Sequence, residues 1–388
     1  MCHVVIVGGG LQGVEAVYLA HKAGWQVTLV DRDVNCPASG MCDSFIHADV
    51  TKKDPLPLSA NDIDFMIPAL EDDAALATLE SWTREHAVPF AFDRTAYATS
   101  SSKVKSGRLF FRLNIPTPEP WPKANYPMIA KPSRSSGSRG VRILASPVDM
   151  DSEIPHLIAS ESLVIEEFLQ GPSYSLEIMG CSGHYLSLPV TELFMDEAFD
   201  CKCVVAPADL SKTFIDQFNE IAIHIASSLS LTGIMDVEVI LYEGELKVLE
   251  IDARLPSQTP TAVYWSSGTN ILCLLQDIFL WDKLIGDGPL PDVRGVVYQH
   301  IHIRPGLLEV AGEHLMYHVG PLKIKRSFFG ADEAITNYRD GVNEWVATLI
   351  ISETDRQSAL AKKDAVLADI RDKFHLDLYL DRTHYLLN

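Results

Sequence analysis

The sequence predicts a mixed fold, α/β at its N-terminus and α+β beyond it. Three observations carry this expectation. Residues 4–31 run strand, glycine turn, helix, strand; residues 128–144 are two short apolar runs around a Ser/Gly/Arg loop; residues 236–254 are two longer runs around Glu243-Gly244 and are loaded with carboxylates. The first pattern builds parallel sheet with a crossover helix, and the other two build antiparallel hairpins.

Length and composition bound the rest. At 388 residues the chain exceeds one ordinary core and suggests two or three domains. With 47% apolar and 22% charged residues and no long low-complexity run, it should fold throughout. A net charge of −20 argues against a nucleic-acid partner, since no basic cluster is longer than Lys323 to Arg326. The longest apolar runs fall far short of a membrane span and no secretory segment precedes the first strand, so a cytoplasmic protein with no membrane partner is expected. Seven cysteines form no CxxC pair and no Cys/His metal spacing, which fits reduced thiols.

The order of elements begins with the apolar run 4–7, followed by Gly8-Gly9-Gly10-Leu11-Gln12-Gly13, a helical pattern through Ala23, and a strand ending at Asp31. This is a dinucleotide fingerprint in a Rossmann-like unit, with Asp31 positioned for a ribose hydroxyl. The glycines themselves specify only a tight turn and a helix N-terminus that accepts any anionic group. Further strands read at Ser44 to Ala48 and Asp64 to Ile67. The second runs into Glu71-Asp72-Asp73 at its carboxyl end, where ligands of open α/β sheets collect. These acids either hold an ammonium group or cap the helix from Ala74 to His86.

Beyond Pro89-Phe90 the character changes. Ser100-Ser101-Ser102-Lys103 opens a helix to Leu113, and Ile115 to Pro122 is a rigid, mostly extended connector. The strand Met128 to Lys131, the loop Ser133 to Gly140 and the strand Val141 to Leu144 then form a hairpin. Its flap has backbone amides and hydroxyls that can wrap phosphates, unless it is only a mobile tip. Leu163 to Leu169 is a buried strand running into a turn, and Ser175 to Met179 and Leu188 to Glu192 read as sheet. Lys212 to Ser228 is an amphipathic helix with Phe214, Phe218, Ile221, Ile225 and Leu229 on its core stripe.

In the second hairpin, alternation puts Asp236, Glu238 and Ile240 on one face of the first strand and Glu250, Asp252 and Arg254 on one face of the second. A register pairing Glu238 with Glu250, Val239 with Leu249, Val237 with Ile251 and Asp236 with Asp252 sets like against like. It requires a three-residue turn, or a shorter one with a bulge near Gly244. Like charges directly opposite destabilise a sheet unless something offsets them. Oxygen-only ligands suit a hard cation such as Mg2+, completed by water and substrate phosphates; a solvated hairpin face is the alternative. In the last hundred residues, Val296 to Ile303 is a strand with His300 and His302 on one face, His302 reaching toward a cleft. Short strands follow through Ile350, and a helix from Gln357 to Phe374 closes the chain.

In order and spacing these pieces resemble the ATP-grasp ligase superfamily over roughly residues 1 to 290. The resemblance implies a Rossmann-like domain over 1–88, an ATP-grasp domain of two α+β subdomains over 89–288, and a small C-terminal α+β domain over 289–388. Lys103 and Lys131 look like the two phosphate lysines, and Ser133 to Gly140, with Ser138 near its centre, like the flexible glycine-rich loop. Glu166, Glu167, Phe168 and Leu169 look like the hinge that meets adenine through backbone groups. Glu238, Glu250 and Asp252 look like the magnesium ligands, and Arg254 like the arginine beside the reacting acyl phosphate, with Lys131 sharing in catalysis.

The implied reaction uses ATP and Mg2+ to join two small-molecule amino acids. A carboxylate attacks the γ-phosphate of ATP to give an acyl phosphate, which an amine converts to an amide. Such chemistry needs positioning and charge neutralisation and no nucleophilic side chain. Glu177, Ser257, Gln258, Thr259, Thr261 and His302 would hold the activated amino acid. Leu11, Gln12 and Asp72 would hold the amine donor, because ammonium groups need carboxylate partners. A homodimer is compatible with the family. The rival expectation, a nicotinamide-dependent oxidoreductase resting on Gly8, Gly10, Gly13 and Asp31, leaves Lys131, the flap and the carboxylate hairpin without a role. A non-catalytic scaffold would have lost a phosphate lysine or a metal carboxylate, and a carboxylase or another amino-acid ligase would keep the superfamily and change the reaction.

Overall fold

The glycine turn after the first strand is forced by close packing. A Cβ on Gly13 would stand 2.1 Å from the Gly8 carbonyl oxygen, and Gly8 itself has φ +107; only glycine meets both demands. In the computed structural model, described for residues 2–52, 56, 58–150, 154–284 and 293–381 and for Pro155 by its backbone alone, this turn joins the strand His3–Val7 to the helix Leu11–Lys22. The chain divides into two compact units, Met1–Phe92 with Phe194–Pro207 and Leu255–Asn388, and Asp93–Leu193 with Ala208–Arg254.

In the first unit a parallel sheet runs in the order Ser44–His47, Gln26–Asp31, His3–Val7, Phe65–Pro68. Its centre is apolar on both sides: Val4, Val5, Ile6, Val27 and Leu29 are fully buried, as a doubly covered sheet requires. The same unit holds the helices Thr259–Ser267 and Ile271–Trp281 and an antiparallel sheet. That sheet runs Cys201–Ala206, Gly295–Arg304, Trp345–Glu353, Ala331–Thr336, Lys323–Phe328. The helix Arg356–Phe374 buries Ala359, Val366, Leu367 and Ile370 against the core of this sheet.

The second unit is α+β. Glu245–Asp252, Gly233–Tyr242 and Ser173–Cys181 lie side by side and antiparallel, and residues 191–193 pair with Ser173–Cys181. The helix Lys212–Leu229 covers one face, packing Phe218, Ala222, Ile225 and Ala226 on Leu176, Ile178, Val237 and Val239; the expected stripe is core, with Phe214, Ile221 and Leu229 partly buried at its margin. A smaller sheet, Arg142–Leu144, Met128–Pro132, Leu163–Glu167, carries the flap.

The carboxylate hairpin corrects one expectation. Asp236 pairs with Asp252, Val237 with Ile251 and Glu238 with Glu250, as like-to-like register demands, but Val239 pairs with Val248 and the turn is the two residues Glu243-Gly244. Both turn residues have positive φ, +50 and +81, the mirror-image geometry whose twist matches the strands. The extra residue is Leu249, five positions from the turn. Its bulge reverses the strand's phase, so Leu246 and Val248 before it and Ile251 and Ala253 after it all enter the same core.

Candidate active site

Two rows of side chains cross one face of the larger sheet in the second unit. Strand register aligns Ser175, Glu238 and Glu250 in one row and Glu177, Asp236 and Asp252 in the next. Five carboxylates therefore share a surface of three strands, and Glu177 and Asp236 are buried. Burial, then Glu177, push the Asp236 carboxyl well above its ordinary range, while the Ser175 hydroxyl donates to it. Burial, then Asp236 and Glu250, push Glu238 up to about 8 against the opposing pull of Lys103 and Arg254. Packed like charges of this kind are short of positive charge.

Cations bracket the rows. Lys103 Nζ, set at the start of the helix Lys103–Leu113 by the Ser102 cap, donates to Glu250 Oε1 at 2.6 Å and to the Ser135 carbonyl of the flap at 2.8 Å. Lys131 Nζ donates to Glu166 Oε1 at 2.5 Å. Burial opposes its charge, but Glu166, Glu250 and Glu238 together hold its pKa above the ordinary value. Arg254 reaches Asp252 at 2.9 Å. The expected phosphate lysines, carboxylates and arginine thus lie on one face of one unit, with Asp236 an addition that the expected ligand set left out. Its signal was present in the alternation that grouped it with Glu238.

Among the described residues, no three side chains of His, Cys, Asp or Glu gather at the spacing of a protein-only metal cage. Mg2+ is a hard cation commonly held by one or two carboxylates and completed by phosphate oxygens and water. Glu238 and Glu250, directly opposite each other beside Lys103, are suited to it by their oxygen donors and the excess negative charge.

The flap is a hairpin between Met128–Pro132 and Arg142–Leu144. Gly137, Ser138 and Gly140 have φ values of +59, +54 and +76, the left-handed backbone of a tight turn at the tip. In the hinge, the amides of Glu167 and Phe168 donate to the carbonyls of Glu119 and Pro127, and Glu166 is engaged through its side chain with Lys131. Leu169 is buried at the end of this segment.

The first unit holds the other expected residues. At the carboxyl edge of the parallel sheet, Gln12 Nε2 donates to Glu71 Oε1 at 2.7 Å, and Gln12 Oε1 is buried with no hydrogen-bond partner among the described residues. Asp72 caps the helix Asp73–Glu85, its Oδ1 accepting from the amides of Ala74 and Ala75; the capping reading of the acidic cluster therefore holds for this oxygen. Leu11 is the first residue of its helix. Glu71, exposed beside Gln12, is a residue the expected set omitted.

Asp31 is committed to the turn. Its Oδ2 accepts from Gly9 N at 2.6 Å and its Oδ1 from Asp33 N at 2.7 Å. Cys36 Sγ lies where a Cβ on Gly9 would fall and the Tyr317 ring stands against Gly10. The glycines serve packing here, and Asp31 closes the turn.

Ser257, Gln258, Thr259 and Thr261 lie at the N-terminus of the helix Thr259–Ser267. Thr261 N donates to Glu15 Oε1 at 2.5 Å. His302 pairs with Glu344 at 3.2 Å; the buried neighbour His300 is the histidine that reaches Gln258, Nε2 to Oε1 at 3.1 Å, which alternation alone did not distinguish.

Comparison with known proteins adds three findings. The ATP-grasp domain profile matches residues 100–258. The chain is 33% identical over 380 residues to the 3-methyl-D-ornithine–L-lysine ligase of Methanosarcina acetivorans, covering 96% of this chain and 98% of that protein. In fold it resembles biotin carboxylase from Campylobacter jejuni, solved as a β-γ-ATP complex (TM-score 0.71, 16% identity, 96% of this chain and 94% of that one). It also resembles the biotin carboxylase domain dimer of Hydrogenobacter thermophilus 2-oxoglutarate carboxylase with MgADP (TM-score 0.68, 14% identity, 94% and 89%). No helix among the described residues is long and apolar enough to cross a membrane.

Proposed function

Because the chain belongs to the family of the 3-methyl-D-ornithine–L-lysine ligases, ATP-dependent carboxylate–amine ligases of the ATP-grasp fold, we propose that it joins the carboxylate of 3-methylornithine, or of D-ornithine, to the ε-amine of L-lysine in pyrrolysine biosynthesis. The observation that carries this reading is the pair of cross-strand rows, five carboxylates flanked by Lys103 and Arg254. Glu238 and Glu250, with Asp252 from the neighbouring row, are suited to a magnesium-bound nucleotide, and Glu177 and Asp236 to a substrate ammonium.

In this reading Lys103, Lys131 and the flap around Ser138 hold the phosphates of ATP, and the hinge from Glu166 to Leu169 holds adenine. Because the Glu167 and Phe168 amides have internal partners, these two residues would meet adenine through their carbonyls. Glu238, Glu250 and Asp252 would hold Mg2+. When bound, that ion neutralises the charge developing on the transferred phosphoryl group. Arg254 stabilises the acyl phosphate formed when the substrate carboxylate displaces ADP, and Lys131 offsets charge on the transferring phosphate. Glu177, with Ser257, Gln258, Thr259, Thr261 and His302, orients the diamino acid. Leu11, Gln12 and Asp72 hold the lysine, whose ammonium suits the buried Gln12 Oε1. Attack of the ε-amine then releases phosphate and forms the amide.

The three-domain division at 88/89 and 288/289, a homodimer and a cytoplasmic setting belong to the same proposal; the second boundary lies outside the described residues. Coupled ADP release with ATP, Mg2+, 3-methylornithine and L-lysine tests the function. Lysine-dependent release, with a product one water lighter than the two amino acids combined, is the expected result. Release with other amino-acid pairs and not this one would move the protein to another ATP-grasp ligase activity.

A further inference from the structure

The loop that opens the helix Thr259–Ser267 contains a strained turn. Gln258 has φ +71 and ψ −59, and Thr259 N donates to the Ser257 carbonyl at 2.8 Å. These values define a γ-turn of the rare, strained hand. A non-glycine residue stays in such a conformation only when its surroundings over-determine it.

Those surroundings are buried and specific. Gln258 is 5% exposed and His300 2%. His300 Nε2 lies 3.1 Å from Gln258 Oε1, and His300 Nδ1 lies 2.8 Å from Thr348 Oγ1. Since the amide oxygen only accepts, Nε2 carries the proton and donates; Nδ1 then accepts from the Thr348 hydroxyl. Acids lie on the other side of the turn: Ser257 and Gln258 favour the charged form of the Glu313 carboxylate, and Glu15 accepts from the Thr261 amide at 2.5 Å. The Thr259 hydroxyl is buried with no hydrogen-bond partner among the described residues.

We propose that His300, oriented by Thr348, is a positioning residue that locks the Ser257-Gln258-Thr259 γ-turn and so presents the Thr259 hydroxyl to the activated amino acid. This rests on the ligase reading above, in which the same loop orients that substrate. His300 touches no reacting atom; it acts through Gln258. The strand Gly295–Arg304 supplies the histidine from its buried face, and pairing of His300 with Thr348 across to Trp345–Glu353 places the hydroxyl behind the ring.

The test is a double-mutant cycle read by steady-state kinetics and thermal melting. His300→Ala should raise KM for the activated diamino acid about tenfold or more while KM for ATP stays within about twofold. Gln258→Gly makes the positive φ free of strain, so adding His300→Ala to it should change KM by less than about twofold. His300→Gln, which keeps an amide donor in reach, should recover most of the loss. A lower melting temperature with KM unchanged in His300→Ala, or effects of the two substitutions that simply add, would overturn the proposal. If the wild type turns over none of these amino acids, the ligase reading fails. The melting-temperature cycle still decides the relay: coupling between His300 and Gln258 supports it and additivity overturns it.

Discussion

His300 is a base that its surroundings keep neutral. Burial lowers its pKa from 6.5 to about 4, so the unfolded chain binds a proton on acidification before the folded one does. Its contribution to stability is therefore present above pH 6.5 and is lost as pH falls toward 4, by about 2 kcal/mol at pH 5. His300→Gln should flatten the fall in urea midpoint between pH 7 and 5. Glu15 acts with the opposite sign: burial raises its carboxyl to about 7 against the amides it accepts, so stability from this group falls as pH rises from 4.5 through 7. Glu15→Gln should remove that slope and keep the acceptor for Thr261 N. Lys131 sits in a field of acids that hold its charge, and Lys131→Ala should lower kcat/KM for ATP by about 10²–10³. A smaller change than tenfold would remove it from the phosphate site.

The carboxylate hairpin is decided by two local devices acting together. Glu243 and Gly244 both adopt positive φ, which makes a two-residue turn, and the Leu249 bulge restores the pairing of Glu238 with Glu250. Like-to-like register was legible, because aliphatic and acidic residues alternate and only one register keeps both sets together. The position of the extra residue was not, since the local sequence tolerates it anywhere between the turn and Glu250; packing of Leu246, Val248 and Ile251 in the core chooses Leu249. A Cβ at Gly244 meets nothing within 4 Å, so Gly244→Ala tests the backbone alone. It should cost about 1–2 kcal/mol in denaturant midpoint, with the kinetics of the folded enzyme unchanged; a neutral substitution would show that the turn can rearrange.

Across the first unit, segments distant in sequence close one core. The Tyr18 hydroxyl donates to Glu333 at 2.6 Å and accepts from Trp265 Nε1 at 2.8 Å, Lys22 pairs with Glu333 at 2.7 Å, and Asn270 donates to the Leu19 carbonyl at 2.8 Å. The first Rossmann-like helix is thus buried by residues some 250 to 315 positions further along the chain. A fragment of residues 1–92 leaves those polar groups without their partners and should show no cooperative thermal unfolding by circular dichroism, in contrast to the full chain. A sharp transition in the fragment would refute the dependence.

The amino-acid sequence by itself determined the parallel first sheet, the flap, the acidic hairpin and the cations around it, because each is written in short-range alternation, glycine chemistry and spacing. It also carried the family, since its motifs occur in a fixed order. Tertiary structure alone decided that Asp31 and the glycine turn serve packing, that Glu177 stands beside Asp236 in the second carboxylate row, and that His300 rather than His302 supports Gln258. Those outcomes depend on which distant side chain fills the space beside a residue: Cys36 and Tyr317 beside the glycines, Glu177 beside Asp236, Thr348 and Gln258 on either side of His300. Periodicity assigns a residue to a face, and only packing in three dimensions supplies its neighbour.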